Sequence, residues 1–175
     1  MILLRIILVE PQHPGNVGAV ARIMANFGID VFRGQYIHKV SNSGRASMPV
    51  RFREVLRKKY KTNKIIISSF DKCAVGYPLS EWEELESKIS ELPQFKQDIV
   101  EFERYLIGGA NESEIDSEGR IMIPAAIRKN LTIKNSVVFV GMLSRFEIWA
   151  EKTWASNNKT SFKRFQKSRE SIENV

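Results

Sequence analysis

The chain has 175 residues, 43% of them hydrophobic, and a formal net charge of +7. That length suits one ordinary domain or two small ones, and the hydrophobic share excludes an extended disordered chain. No apolar run approaches the ~18 residues that mark a membrane span, and the single cysteine, Cys73, excludes an intrachain disulfide and suits a reducing cytoplasm.

Residues 1–31 carry no net charge. Met1 to Val9 is apolar, but Pro11 and His13 follow where a signal peptide would place small residues for cleavage. A short strand is predicted from Gln35 to Val40, running into a turn that ends at Gly44, where a positive φ suits glycine. A second strand, Arg45 to Met48, leads to Pro49, which needs no donor in the first turn of a helix. Phe52, Val55 and Leu56, at i, i+3 and i+4, give that helix one apolar face. Strands follow at Ile65 to Ser69 and Ala74 to Tyr77, with Cys73 read as a buried strand residue and not a nucleophile.

The middle of the chain reads as helical. Ser80 with Glu83 three residues on has the form of a capping box. Trp82, Leu85, Ile89 and Leu92 make one apolar stripe; Phe95, Ile99, Phe102 and Leu106 make a second, stopped by Gly108-Gly109. Both stripes read as core. The first pattern then returns: a strand at Ser113 to Ile115, a turn ending at Gly119, a strand from Arg120 to Ile123, and Pro124. A helix with Ile127 and Leu131 on one face comes next, then strands at Val137 to Gly141 and Phe146 to Trp149. The basic stretch from Lys159 to Arg169, with Phe162 and Phe165, reads as a loosely packed helix.

The return is a duplication. Gly44, Arg45, Pro49, Arg53 and Leu56 each recur 75 residues later as Gly119, Arg120, Pro124, Arg128 and Leu131. Tyr77 and Trp82 recur 72 residues later as Trp149 and Trp154. The slip in register falls between Arg57 and Lys64 and between Thr132 and Ser136, where turns are expected to absorb length. Seven aligned positions with one loop-sized gap mean a repeated unit.

Charge follows the repeat: +9 over residues 32–64, −9 over 65–118 and +7 over 119–175. The two basic blocks hold the two Gly-Arg segments, with the acidic block between them, and that coincidence favours a polyanion-binding face over a merely solvated surface. Arg45 and Arg120 leave a tight turn at a strand start, from where a guanidinium can reach phosphates or guanine O6 and N7. The competing reading is an ion pair within the fold, and for Arg53 and Arg128, on the helices, the two readings stand level. Arg51, Arg57, Lys58, Lys59 and Lys61 surround Arg45 with positive charge, and only Glu54 is a nearby acid in sequence. His13 and His38 stand apart from any cysteine or carboxylate at ligand spacing, so no metal site is expected.

On these residues the chain resembles, over residues 32 to about 160, the MraZ family. Its members are two-copy proteins of the AbrB/SpoVT swapped-hairpin barrel superfamily, with the repeated signature Asp-x-x-Gly-Arg-x-x-x-Pro-x-x-x-Arg. Copy two carries it as Asp116, Gly119, Arg120, Pro124 and Arg128; copy one carries Gly44, Arg45, Pro49 and Arg53, with Ser41 in place of the aspartate. Phe32-Arg33-Gly34 is similar to the usual opening of such chains, and Tyr77, Pro78, Glu81 and Trp82 match the family's Tyr-Pro-x-x-Glu-Trp element. Serine accepts turn hydrogen bonds more weakly than aspartate and brings no charge, so copy one should hold its turn less rigidly.

The resemblance implies a mainly β, α+β fold of two swapped-hairpin barrel repeats, 32–82 and 110–155, joined by a helical connector at 83–109. An extension at 1–31 and a basic tail at 156–175 complete the chain. It further implies a cytoplasmic, nucleoid-associated repressor of the division and cell-wall gene cluster, which binds repeated operator boxes on double-stranded DNA as a ring-shaped homo-oligomer. No enzyme activity, cofactor, membrane or small-molecule substrate is expected. The residues expected to contact DNA are Arg45, Arg51, Arg53, Arg57, Lys58, Arg120 and Arg128; those expected to build the turns are Gly44, Gly119, Pro49, Pro124 and Asp116.

The first 30 residues suggest something else. Ile7 to Arg22, with Asn26-Phe27-Gly28, resembles the opening of SpoU/TrmJ-type RNA methyltransferases of the knotted SPOUT class. That alternative implies an RNA 2′-O-methyltransferase with Asn16 and Arg22 in its active site and S-adenosylmethionine as cofactor. No later segment resembles the glycine-rich knot that would bind it, and Gly108 to Glu112 reads better as a helix stop. The segment reads as a fusion, a misassigned start or a cloning scar. A third reading makes the repeats an assembly module alone.

Overall fold

The computed structural model describes residues 30–172. Copy one comprises β1 (Gln35–Lys39), β2 (Arg45–Ser47), α1 (Val50–Val55), β3 (Lys64–Phe70) and β4 (Cys73–Pro78). Next come α2 (Leu79–Ser90) and α3 (Gln97–Leu106). Copy two repeats the order as β5 (Asn111–Glu114), β6 (Arg120–Met122), α4 (Ala125–Asn130), β7 (Ser136–Met142) and β8 (Arg145–Ala150), and α5 (Glu151–Ile172) closes the series. The duplication extends to the backbone: positive φ occurs at Gly44, Lys61 and Asp71 in copy one and at Gly119, Thr132 and Leu143 in copy two.

The extra residues of copy one lie in a helix, not in the turn expected. There α1 runs straight into a π-helical segment, Leu56–Tyr60, while α4 stops at Asn130. A π turn is how an α-helix takes up inserted residues without losing its direction.

The two copies do not fold side by side. A six-stranded antiparallel sheet has the order β1-β7-β8-β4-β3-β5, and β2 pairs with β6 in a separate two-stranded ribbon. Strand β1 pairs with β7 from Gln35↔Val140 to Lys39↔Ser136, and β5 pairs with β3 from Lys64↔Glu114 to Ile67↔Asn111. Each copy therefore lends its first strand to the hairpin of the other, which is the swapped arrangement expected.

One core follows from this interlocking. Phe32, Phe52, Ile121, Phe139 and Phe146 are fully buried and come from both copies. The Phe32 ring meets Phe52 and Phe146 edge-on at 5.3 Å each. On the far side of the sheet, Trp82 and Ile89 of α2 and Leu106 of α3 cover Ile66 and Val75. Trp154 of α5 covers Cys73, Val138, Val140 and Trp149. The aligned aromatics thus do the same job twice: Tyr77 and Trp82 stand 5.6 Å apart, Trp149 and Trp154 5.4 Å. Burial, with Glu147 nearby, pushes the Cys73 thiol up to about 12, so it is inert at neutral pH.

Two details depart from expectation. Ser80 lies inside the first turn of α2, whose N-cap is Pro78, and no side chain caps the helix; the capping box does not form. Glu81 instead places a carboxylate in that first turn, where the helix dipole favours it. Phe95 precedes α3 and is fully exposed, and Leu92 is 37% exposed, so the outer ends of both stripes leave the core. The basic C-terminal stretch is helical, as part of α5, with Phe162 exposed.

Candidate nucleic-acid interface

The ribbon of β2 and β6 is the place where the two copies meet most symmetrically. Its register sets Arg45 opposite Met122, Ala46 opposite Ile121 and Ser47 opposite Arg120. Alternation buries Ala46 and Ile121 completely or nearly so and turns Arg45, Ser47, Arg120 and Met122 outward. Beyond the ribbon the pairing continues: the Met48 N–H donates to the Gly119 carbonyl at 2.9 Å, and the Ile123 N–H to the Gly44 carbonyl at 3.0 Å.

Both arginines leave turns of the same construction. In copy two the Arg120 N–H donates to Asp116 Oδ1 at 2.9 Å, and the Gly119 N–H to the Asp116 carbonyl at 2.9 Å. In copy one the Arg45 N–H donates to Ser41 Oγ at 3.0 Å, and the Gly44 N–H to the Ser41 carbonyl at 2.8 Å. Serine therefore replaces the turn-closing half of the aspartate's role. It does not replace the charge.

The charge is shared instead. Asp116 Oδ2 accepts from Arg120 Nε at 2.9 Å and also lies 3.8 Å from Arg45 Nε, across the ribbon. Glu118 holds Arg120 a second time, at 2.5 Å. The Arg120 backbone N–H, its guanidinium and the Glu118 N–H together keep the Asp116 carboxyl below the usual carboxylate range, although partial desolvation works the other way. Sequence proximity pointed Arg45 towards Glu54, but Glu54 pairs with Arg51 at 3.4 Å. The real neighbour comes from the other copy.

The helix arginines cross over too. A Cβ built on Gly44 would lie 2.5 Å from Cζ of Arg128, and one on Gly119 would lie 2.5 Å from Arg53 Nη1. Each turn glycine is thus the floor on which the other copy's arginine rests, with φ of +88° and +75° as a second reason for glycine. Arg128 Nε donates to the Ile123 carbonyl at 3.0 Å, whereas Arg53 Nε is buried without a partner. Among the described residues neither arginine forms an ion pair, so the internal pairing weighed for them is replaced by packing on a turn. Pro49 and Pro124 sit at the N-caps of α1 and α4, one residue before the first turn in which the sequence placed them.

Arg45, Arg53, Arg120, Arg128, Gly44, Gly119 and Asp116 therefore form one cluster. Arg51, Arg57 and Lys58 are exposed on α1 and the π-helical segment that follows, outside it. Of the surrounding lysines, Lys59 is engaged with Glu81 at 3.4 Å and with the Tyr60 hydroxyl. His38 lies edge-on to Phe139 at 5.8 Å, its pKa lowered by burial and by Arg53.

Comparison with known proteins points the same way. The family model described as "MraZ protein, putative antitoxin-like" matches residues 31–104 and 106–174. The transcriptional regulator MraZ of Syntrophobacter fumaroxidans is 39% identical over 140 residues, 80% of this chain and 93% of its own length. Its counterpart in Caldanaerobacter subterraneus subsp. tengcongensis is 36% identical, over 81% of this chain and 96% of its own. In Desulfitobacterium hafniense the figures are 35%, 83% and 99%. These relatives are named as regulators, not enzymes. The methyltransferase resemblance of residues 1–30 finds no support: the family match starts at residue 31, and Asn16 and Arg22 lie outside the described residues.

Proposed function

The chain belongs to the MraZ family, and on that premise we propose that it is a sequence-specific, DNA-binding transcriptional regulator and not an enzyme. The observation that carries this reading is the ribbon. Two short antiparallel strands present Arg45 and Arg120 outward, flanked by Ser47 and Met122. A two-stranded β-ribbon is narrow enough for the major groove of B-DNA, where arginine can bond guanine O6 and N7 in bidentate fashion. Arg51, Arg57 and Lys58 on the helical segment after β2, and Arg53 and Arg128 beside the turns, supply charge for the phosphate backbone.

The finer reading comes with the family resemblance. The protein acts in the cytoplasm, at the nucleoid, as a repressor of the division and cell-wall gene cluster. It engages repeated operator boxes as a ring-shaped homo-oligomer, so that weak single contacts add through multivalency. Selection of duplexes from a random pool by the full chain, with native mass spectrometry of the bound species, tests it. Enrichment of a repeated box by a closed oligomer supports the reading; a pool that stays random after several rounds overturns it.

A further inference from the structure

Resting on the DNA-binding reading, we propose that positions 116 and 41 set the affinity and selectivity of the ribbon: Asp116 competes with DNA for both arginines, and Ser41 leaves Arg45 the releasable one. One carboxylate lies between two guanidinium groups that it holds unequally. Arg120 is bonded through Nε at 2.9 Å and held again by Glu118 at 2.5 Å, with its side chain 33% exposed. Arg45 stands at 3.8 Å, beyond hydrogen-bond reach, and is 46% exposed. Exposed ion pairs of that kind contribute little, so a phosphate or a guanine edge displaces Asp116 from Arg45 readily and from Arg120 with difficulty.

Ser41 is what makes the two sides differ. Its Oγ occupies the place of Asp116 Oδ1, accepting from the arginine N–H at 3.0 Å against 2.9 Å. An aspartate there would bring a second oxygen to Arg45 Nε, as Asp116 does for Arg120. Copy one thus offers a loosely held arginine and copy two a fixed one. The fixed arginine orients the ribbon and the loosely held one adapts to the groove. Asp116 also subtracts one charge from a surface that would otherwise hold any phosphate, so it disfavours wrong sequences more than right ones.

The test uses the full chain and two duplexes of equal length, one enriched from a random pool by the unmodified protein and one with the same bases shuffled. Asp116→Asn keeps the acceptor for the turn and removes the charge. It should bind the shuffled duplex about tenfold more tightly, narrow the ratio between the two duplexes, and steepen the slope of log K against log salt by about 1. Ser41→Asp should weaken binding to both and flatten that slope by about 1. Ser43→Asp adds the same charge in the same turn without the bond to the Arg45 N–H, and should do so less. An unchanged slope and shuffled-duplex affinity in Asp116→Asn, or identical behaviour of Ser41→Asp and Ser43→Asp, overturns this inference alone. No DNA binding by the unmodified chain overturns the regulator reading and this inference with it.

Discussion

Arg45 and Arg120 occupy equivalent positions in unequal surroundings, and that inequality predicts unequal mutants. Arg45→Ala removes a half-exposed side chain whose nearest carboxylate is 3.8 Å away. Its melting temperature should barely change, while DNA binding should fall by about tenfold to a hundredfold per engaged subunit. Arg120→Ala strips partners from Asp116 and Glu118 and should lower the melting temperature more and DNA binding less. Paired melting and anisotropy curves decide this; full DNA affinity in Arg45→Ala at matched salt would refute the assignment. Asp116 adds a pH signature. Its folded pKa is depressed, first by the Arg120 N–H, so it stabilises the fold fully above the ordinary aspartate pKa of the unfolded chain. That contribution is lost as pH falls from there through the lower folded value. The melting-temperature gap between the unmodified protein and Asp116→Asn should therefore be constant around neutrality and close only in acid. A gap that widened in acid would contradict the sign.

At the scale of elements, the signature Gly-Arg-x-x-x-Pro-x-x-x-Arg describes a lock between copies. The proline starts a helix, and that helix carries an arginine onto the glycine of the opposite turn. Gly44→Ala forces a left-handed residue, costing about 1–2 kcal/mol, and drives its Cβ to 2.5 Å from Arg128 Cζ. Arg128→Ala in the same protein should relieve the second cost but not the first, and chemical denaturation of the double-mutant cycle would separate them. Strictly additive losses would mean that the contact carries no energy. Much of this was readable beforehand, because strands, turns and proline-led helices are local in sequence and were each written twice. The contacts between copies were not. Nothing in the spacing of Gly44 and Arg128, or of Arg45 and Asp116, says that β2 would pair with β6. The π-helical segment at Leu56–Tyr60 hid behind an apparent loop, since an insertion in a helix and one in a turn leave the same gap. At Ser80 the capping pattern lost to Pro78, the N-cap of α2, which starts the helix two residues too early for that serine to cap it.

For the whole molecule, interlocking makes the two copies one cooperative body and sets its charge pattern. Residues Asp30–Ala155 form a single compact unit in which neither hairpin completes its sheet alone. Because the family match begins at residue 31, a chain starting at Asp30 should melt and bind DNA like the full chain. Loss of the folded state on that truncation, seen by circular dichroism, would give the first residues a structural part. Within the unit the charge is uneven: residues 32–82 carry +8, whereas residues 110–155 balance six basic side chains against six acidic ones, so the positive field is concentrated on copy one. Binding driven by such a field releases counterions, about 0.9 per phosphate neutralised. If Arg45, Arg51, Arg53, Arg57, Lys58, Arg120 and Arg128 all engage phosphate, affinity should fall by several thousandfold, on the order of 10⁴, between about 50 and 200 mM salt. Arg45→Ala should then reduce the slope by about 1. Charge reversal in the helical segment, as in Arg57→Glu with Lys58→Glu, should flatten it further while leaving the melting temperature unchanged, since both side chains are exposed. A salt-independent affinity, or none at all, would leave the repeats as an assembly scaffold whose arginines serve only to lock one copy onto the other.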